Sequence, residues 1–357
     1  MARQPRVALY GAGWIAQAHA AATRLNGYQL VAVASRSVER AADQAVALGT
    51  RAVTYADLPG DADVVIVATP PQCHADDAIR MLDAGAAVLL EKPLCTTLAD
   101  ADRLVHAAES HGDRLLYAEN LAYSPVVQAL LTRTPGLGPL THLEVRAQQG
   151  LPTWGAFTTD EWGGGALFDL GAHPLSVALL LASAARAGRP TSVSARLRGG
   201  PGHDSDEHAE VELTYSGGLV ARVVSSWQAG PDAHWDAQVA SATGVLRADL
   251  VPVPSLEHNG EPIALPRPTT TSTTTTPPEI EQFGYLAQLR ALVDDCGAQR
   301  VPAMSAAFGR TVLDVTCAAY WSAGRGGRAT ALPFTGPSGL TPLQLWRTPG
   351  AEEPVAQ

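Results

Sequence analysis

From Val7 to Ala118 the sequence alternates short apolar runs with longer stretches of helical periodicity, and this rhythm restricts what the chain can fold into. Val7–Tyr10, Leu30–Ala34, Asp63–Ala68, Ala87–Leu90 and Arg114–Ala118 read as strands. Trp14–Leu25, Val38–Leu48, Asp76–Ala84 and Leu98–Ser110 read as helices, the third stopped by Gly85. Strands that alternate with helices over short loops pair side by side in parallel. The alternation therefore predicts an α/β domain, a doubly wound parallel sheet, over residues 1–122.

The pattern changes after Asn120. A helix is predicted over Pro125–Thr132, a strand over Thr141–Ala147 and one helix over Leu167–Ala185. Alternating runs then follow without helices between them: Val193–Leu197, Ala209–Tyr215, Val220–Trp227, Gln238–Ala240 and Val245–Ala248, with a hairpin signal at Gly217-Gly218. Two helices, Ile280–Cys296 and Met304–Ser322, precede a short strand near Thr330–Pro333. This predicts a second, α+β domain over residues 123–347 with an open, mostly antiparallel sheet. Helices can cover one face; the other is solvated or pairs with a second subunit. The proline-flanked Thr/Ser run from Pro266 to Pro278 is expected to be a mobile loop, and residues 348–357 a disordered tail.

Composition excludes several partners. The net charge is −10 and no Lys/Arg-rich run occurs, which argues against nucleic acid and anionic membranes. No signal-peptide apolar region separates Met1 from the first strand, and the apolar helical run near Leu175–Ala185 is too short for a bilayer. Cys73, Cys95, Cys296 and Cys317 lack metal-like or disulfide-like spacing, so reduced, structural thiols in a cytoplasmic protein are expected, and no metal site.

Chemistry concentrates in a few segments. Gly11-Ala12-Gly13-Trp14-Ile15-Ala16 gives G-x-G-x-x-A between the first strand and the first helix, where glycines admit a pyrophosphate and helix N–H groups bind it. At the end of the second strand, where an acidic residue would hold a ribose 2′-hydroxyl, stand Ser35, Arg36 and Ser37; these tilt the choice toward NADP over NAD. Thr69-Pro70-Pro71, at another strand end, is placed to run beside the nicotinamide half, with His74 close behind as a cofactor or substrate contact or a local structural residue. Glu91-Lys92-Pro93 ends an apolar strand in a charge and a chain stop, at the sheet edge where such folds bind ligands. Gly163-Gly164-Gly165 lets a ligand approach the backbone, and Asp169 and His173, four apart on the predicted helix, form a carboxylate–imidazole pair suited to acid/base work.

These segments, in this order and spacing, resemble the glucose-fructose oxidoreductase / inositol dehydrogenase / MocA family over nearly the whole chain. The resemblance implies a Rossmann domain, a second domain that commonly makes dimers or tetramers, and oxidation of a ring hydroxyl or reduction of the ketone on a sugar or cyclitol. It assigns Lys92, Asp169 and His173 as catalytic residues that also touch substrate, and Glu91 and Lys92 as neighbours of the cofactor. Ser176 stands where many members carry an aspartate. Tyr123, Trp154 and Trp162, the last nearest the glycine triplet, are candidates for the substrate walls, and Asn120, at the end of the last strand of the first domain, for a donor to a substrate hydroxyl. An NAD-retaining glycoside hydrolase and a non-catalytic cofactor sensor are the rival functions.

Overall fold

The computed structural model describes residues 3–58, 60, 62–230, 232–266 and 279–348. The expected mobile loop, apart from Pro266, and the expected tail beyond Thr348 lie outside the described residues. The chain divides into two compact units. The first takes Met1–Cys95, Ala99–Arg133 and Val253–Thr311; the second takes Thr96–Leu98, Thr134–Pro252 and Val312–Gln357.

In the first unit six strands, β1 (Arg6–Tyr10), β2 (Gln29–Ala34), β3 (Arg51–Val53), β4 (Val64–Val67), β5 (Ala87–Glu91) and β6 (Leu115–Ala118), form a parallel sheet in the order β3-β2-β1-β4-β5-β6. Helices α1 (Ala16–Leu25), α2 (Val38–Ala47), α3 (His74–Asp83) and α4 (Leu98–Ser110) supply the crossovers. Every residue of β4 and β5 is buried, as a sheet covered on both faces requires. The strand order reverses between β1 and β4, and the carboxyl ends on either side of that reversal open the crevice where such sheets take ligands.

Helix α5 (Pro125–Arg133) closes the second segment of this unit. The second unit begins with β7 (Leu140–Gln148), followed by α6 (Ala166–Asp169) and α7 (Ala172–Ala184). Strands β8 (Pro190–Gly199), β9 (Asp206–Tyr215), β10 (Val220–Ser226), β11 (His234–Ser241) and β12 (Val245–Val251) come next. The hairpin β13 (Ser255–His258) and β14 (Glu261–Pro262), α8 (Glu279–Gln282) and α9 (Tyr285–Gly297) then fall in the first unit's third segment. α10 (Ala306–Ala323), β15 (Thr330–Ala331) and α11 (Pro342–Arg347) complete the chain.

Seven strands of the second unit form a sheet in the order β12-β11-β7-β10-β9-β8-β15. Its pairs are antiparallel except β7 with β10. α7 packs on β7 and β10, and α6 on β9 and β10. In β7 the residues Leu143, Val145 and Ala147 are buried while Glu144 and Arg146 alternate with them. Those two join a ladder of opposite charges across the strands: Asp236 to Arg146 at 3.0 Å, Glu144 to Arg222 at 2.9 Å, Arg222 to Glu210 at 2.9 Å and Glu210 to Arg198 at 3.5 Å. This face of the sheet is polar and internally paired.

Two of the expected helices are each broken in two. The single helix over Leu167–Ala185 is two helices, α6 and α7, with a bend of 52° measured from Asp160–Asp169 to Ala172–Ala184. Pro174 has no N–H to give the Leu170 carbonyl, so His173 N–H takes that carbonyl at 3.2 Å, and Gly171 N–H reaches back to Ala166 at 2.9 Å. The first compact unit also takes in residues 253–311, beyond the boundary placed at residue 122. Leu286, Leu289 and Leu292 of α9 are buried as the helix packs on α1, β5 and β6. Asn26 and Asn120 fasten this segment by donating to the carbonyls of Leu286 at 2.9 Å and Phe283 at 2.7 Å. Likewise Ile280–Cys296 is broken at Gly284 (φ +84°), where a Cβ would collide with the Asn120 carbonyl.

Among the described residues no single helix is long and apolar enough to cross a membrane. None of the four cysteines is in a disulfide; Cys95 and Cys317 are buried.

Candidate active site

In the first unit the glycine turn has the shape a dinucleotide needs. Gly11 sits at φ +128°, and a Cβ there would collide with the Ala68 carbonyl at the end of β4, so only glycine keeps the two strand ends together. A Cβ at Gly13 would meet nothing within 4 Å, leaving that side of the turn open. Ile15 caps α1 with no side-chain hydrogen bond, and no acidic residue stands in the first helical turn. A helix start without a side-chain cap, an aligned helix dipole and open space beside a glycine fit a pyrophosphate. Trp14 is 66% exposed beside them.

At the end of β2, Ser35 is half-buried and Arg36 exposed. Ser37 caps α2: its Oγ accepts from Arg40 N–H at 3.1 Å and donates to Glu39 at 2.8 Å. Its hydroxyl is thus occupied within α2, while no ion pair engages the Arg36 guanidinium among the described residues.

The loops around Lys92 are fixed by buried polar groups. His74 is 1% exposed; its Nδ1 lies 2.8 Å from the Pro93 carbonyl and its Nε2 2.7 Å from the Thr69 carbonyl. Burial pushes this imidazole below the usual range, against the pull of the two carbonyls. His74 therefore sits between the Thr69-Pro70-Pro71 loop and the Lys92-Pro93 turn, with a main-chain carbonyl beside each ring nitrogen and a single N–H to give. Asp77, one helical turn further on, accepts the Thr69 hydroxyl at 2.8 Å. On the other side Glu91 faces His19 of α1, Oε1 to Nε2 at 2.7 Å, and Glu91 Oε2 accepts the N–H of Lys92 at 3.0 Å. Burial pushes the Glu91 carboxyl up, but the His19 hydrogen bond and charge, with Lys92, hold it below the usual carboxylate range. Lys92 itself is half-buried, at the cis peptide with Pro93.

Asn120 and Tyr123 lie in a short 3-10 turn after β6. The Asn120 amide is committed to Phe283, and burial pushes the Tyr123 phenol up.

In the second unit Asp169 ends α6 and His173 is the second residue of α7, 3% and 7% exposed. The bend between the helices, rather than one regular turn, sets their relation. The His173 ring lies 5.1 Å from that of Trp235 on β11, tilted by 34°. Trp235 was not legible in the sequence, since β11 shows only a short alternating run. Its indole nitrogen is buried with no hydrogen-bond partner among the described residues. Ser176 donates to the Ala172 carbonyl at 2.7 Å and is fully buried, so it stays within its helix. Trp162 is half-buried and packs edge-on to Phe157 at 4.8 Å; Trp154 is 46% exposed.

The glycine triplet serves a different purpose from the one its sequence suggests. A Cβ on Gly164 would collide with the Phe157 carbonyl, and one on Gly165 with Asp206 and Tyr320. The protein itself, not an approaching ligand, fills the space at these two glycines.

The family model "Oxidoreductase family, NAD-binding Rossmann fold" matches residues 5–119, and "GFO/IDH/MocA C-terminal domain" matches residues 131–247. The chain belongs to the Gfo/Idh/MocA family. It is 34% identical over 187 residues to D-glucoside 3-dehydrogenase of Escherichia coli, covering 49% of this chain and 53% of the relative. It is 27% identical over 190 residues to an NADP-dependent scyllo-inositol 2-dehydrogenase of Bacillus subtilis, covering 49% and 58%. These alignments span little more than half the length of each relative. Among solved structures, GenD2 from gentamicin A biosynthesis, in complex with NAD, aligns with a TM-score of 0.80 at 25% identity, covering 93% of this chain and 97% of that one. The Gfo/Idh/MocA chain thus has the expected parallel sheet and the mixed, mostly antiparallel second sheet.

Composition holds one more signal. Of the 25 lysine and arginine residues, 24 are arginine, and Lys92 is the only lysine.

Proposed function

We propose that this chain is an NAD(P)-dependent oxidoreductase that interconverts a ring hydroxyl and a ketone on a sugar or cyclitol. The observation that carries the reading is the identity and place of Lys92. Arginine supplies the fixed cations everywhere else in the chain, yet position 92 has a compact ammonium that can lose its proton. It lies at the carboxyl end of β5, next to β4 and two strands from the glycine turn of β1. The residues of that turn fit a dinucleotide, whose nicotinamide, when bound, accepts or donates the hydride.

The rest falls to side chains. Lys92 donates a hydrogen bond to the reacting oxygen and stabilises the negative charge that grows there. His173 gives or takes that oxygen's proton, and Asp169 holds the imidazole in the required orientation. A pH–rate profile of Lys92 and His173 variants divides the proton transfer between the two. Gly11, Gly13, Trp14, Ile15 and Ala16 receive the pyrophosphate half, and Thr69, Pro70 and Pro71 run beside the nicotinamide. NADP is the favoured cofactor, because Ser35 and the exposed Arg36 stand where an acidic residue would select NAD. The named substrates of the relatives, a D-glucoside and scyllo-inositol, share a six-membered ring bearing several hydroxyls, and a ring of that class is the proposed substrate. Tyr123, Trp162 and Trp235 offer aromatic faces for it. We further propose a cytoplasmic homo-oligomer built through the second sheet.

A spectrophotometric screen at 340 nm tests this reading. NAD and NADP are each offered with inositols, hexoses, glucosides and keto-sugars. Reduction of free cofactor by a cyclic polyol is expected. A cofactor retained through purification that no polyol reduces would point to the hydrolase or the sensor instead.

A further inference from the structure

We propose that Asp206 and Tyr320 form a buried latch on the Gly163–Leu167 segment and act as positioning residues for Asp169 and His173; this rests on the catalytic reading of that pair. The N-cap position of helix α6 is Gly165, which has no side chain to cap it. The cap comes instead from β9, 39 residues further along. Asp206 Oδ2 accepts the N–H of Leu167, the second residue of α6, at 2.9 Å. This is the bond an N-cap carboxylate ordinarily makes from within its own helix. The second oxygen, Oδ1, accepts the Tyr320 hydroxyl at 2.5 Å, and that hydroxyl also lies 3.2 Å from the Gly164 carbonyl. Asp206 and Tyr320 are both fully buried.

The glycines complete the device. Gly165 sits at φ +116°, and a Cβ there would occupy the place of Asp206 Oδ1 and of the Tyr320 hydroxyl. The latch can close only on glycine. Gly165 N–H is in turn bonded to the Phe157 carbonyl at 2.6 Å, so the residue is held from both sides. Its own carbonyl accepts the N–H of Asp169 at 3.0 Å. One hydrogen bond therefore separates the latched glycine from the carboxylate proposed to orient His173. The short helix α6 is too brief to hold its geometry alone. A carboxylate and a phenol from β9 and α10 fix its first turn, and with it the place of Asp169.

The test compares Asp206→Ala, Tyr320→Phe, Asp206→Asn and His173→Ala in the full chain. An asparagine can accept from Leu167 N–H through its oxygen and donate to the Tyr320 oxygen, freeing the phenol proton for Gly164. Hydrogen exchange at the Asp169 amide is expected to speed up at least tenfold in Asp206→Ala and Tyr320→Phe, and to stay within threefold in Asp206→Asn. With the best polyol from the 340 nm screen, kcat should fall ten- to a hundredfold in the first two while KM moves less than threefold, and Asp206→Asn should recover at least a third of wild-type kcat. A folded Asp206→Ala protein with wild-type Asp169 exchange and wild-type kcat overturns the latch. Full activity in His173→Ala overturns the catalytic reading instead, and the exchange result then still decides whether the latch holds α6.

Discussion

His19, in the helix behind the glycine turn, lies 2.7 Å from Glu91, the residue before the only lysine. The Glu91 carboxylate also accepts the Lys92 N–H at 3.0 Å. The helix proposed to receive the pyrophosphate and the strand that carries the proposed catalytic ammonium thus share one buried carboxylate. His19 is fully buried, so removing it leaves Glu91 with a poorly compensated charge. His19→Ala is expected to cost roughly 3–5 kcal/mol in urea unfolding at pH 7. The pH dependence has a definite sign. Because the folded pKa of Glu91 is lowered, its contribution is present above the unfolded carboxylate pKa and is lost as pH falls through the folded value. His19→Ala should flatten the acid limb of the stability curve; an unchanged limb would remove this pair from the account.

Asp206 has the opposite sign. Burial pushes its carboxyl up from 3.8 to about 6, against the hydrogen bonds from Tyr320 and Leu167. Its folded pKa is raised, so the favourable contribution is complete below the unfolded pKa and is lost as pH climbs through about 6. The loss between pH 4 and pH 7 is on the order of 3 kcal/mol. Asp206→Asn cannot ionise and should lack this slope. Stability measured by urea at pH 4, 5, 6 and 7 checks it, and parallel curves for the two proteins would refute it.

Gly165→Ala places a methyl group where the latch oxygens are, at a backbone angle that side chains rarely adopt. A loss of at least about 3 kcal/mol is expected. Gly13→Ala is the control, since its Cβ meets nothing within 4 Å. It should leave stability within about 1 kcal/mol while weakening dinucleotide binding, read by fluorescence titration.

Arg36→Ala tests the cofactor preference. A charge-assisted contact to a 2′-phosphate is worth about 1.5–3 kcal/mol, or roughly ten- to a hundredfold in affinity. The Kd for NADP should rise by that factor and the Kd for NAD by less than threefold. Equal weakening of both would mean that Arg36 only stacks on adenine.

The parallel sheet was legible because Val64–Val67 and Ala87–Glu91 are buried at every residue, and continuous apolar runs between helical stretches mark such strands. Arg51–Val53 was not, because a three-residue strand with two exposed residues carries no pattern. The region after Leu167 read as one helix because α7 is buried on nearly all sides, which hides periodicity; Gly171 and Pro174 carried the break. The return of residues 253–311 to the first unit rests on bonds such as Asn26 to Leu286, 260 residues apart, which no local pattern encodes. At the candidate site Lys92, Asp169 and His173 stood out through their motifs. Asp206, Tyr320 and Trp235 did not, because each reaches its partner from a distant strand or helix.

The most direct measurement is turnover by Lys92→Ala alongside its cofactor affinity. Loss of about 10²–10⁴-fold in kcat, with the dinucleotide Kd within threefold of wild type, is the predicted result. Retention of most of the activity would contradict the assignment of Lys92 and, with it, the proposed function.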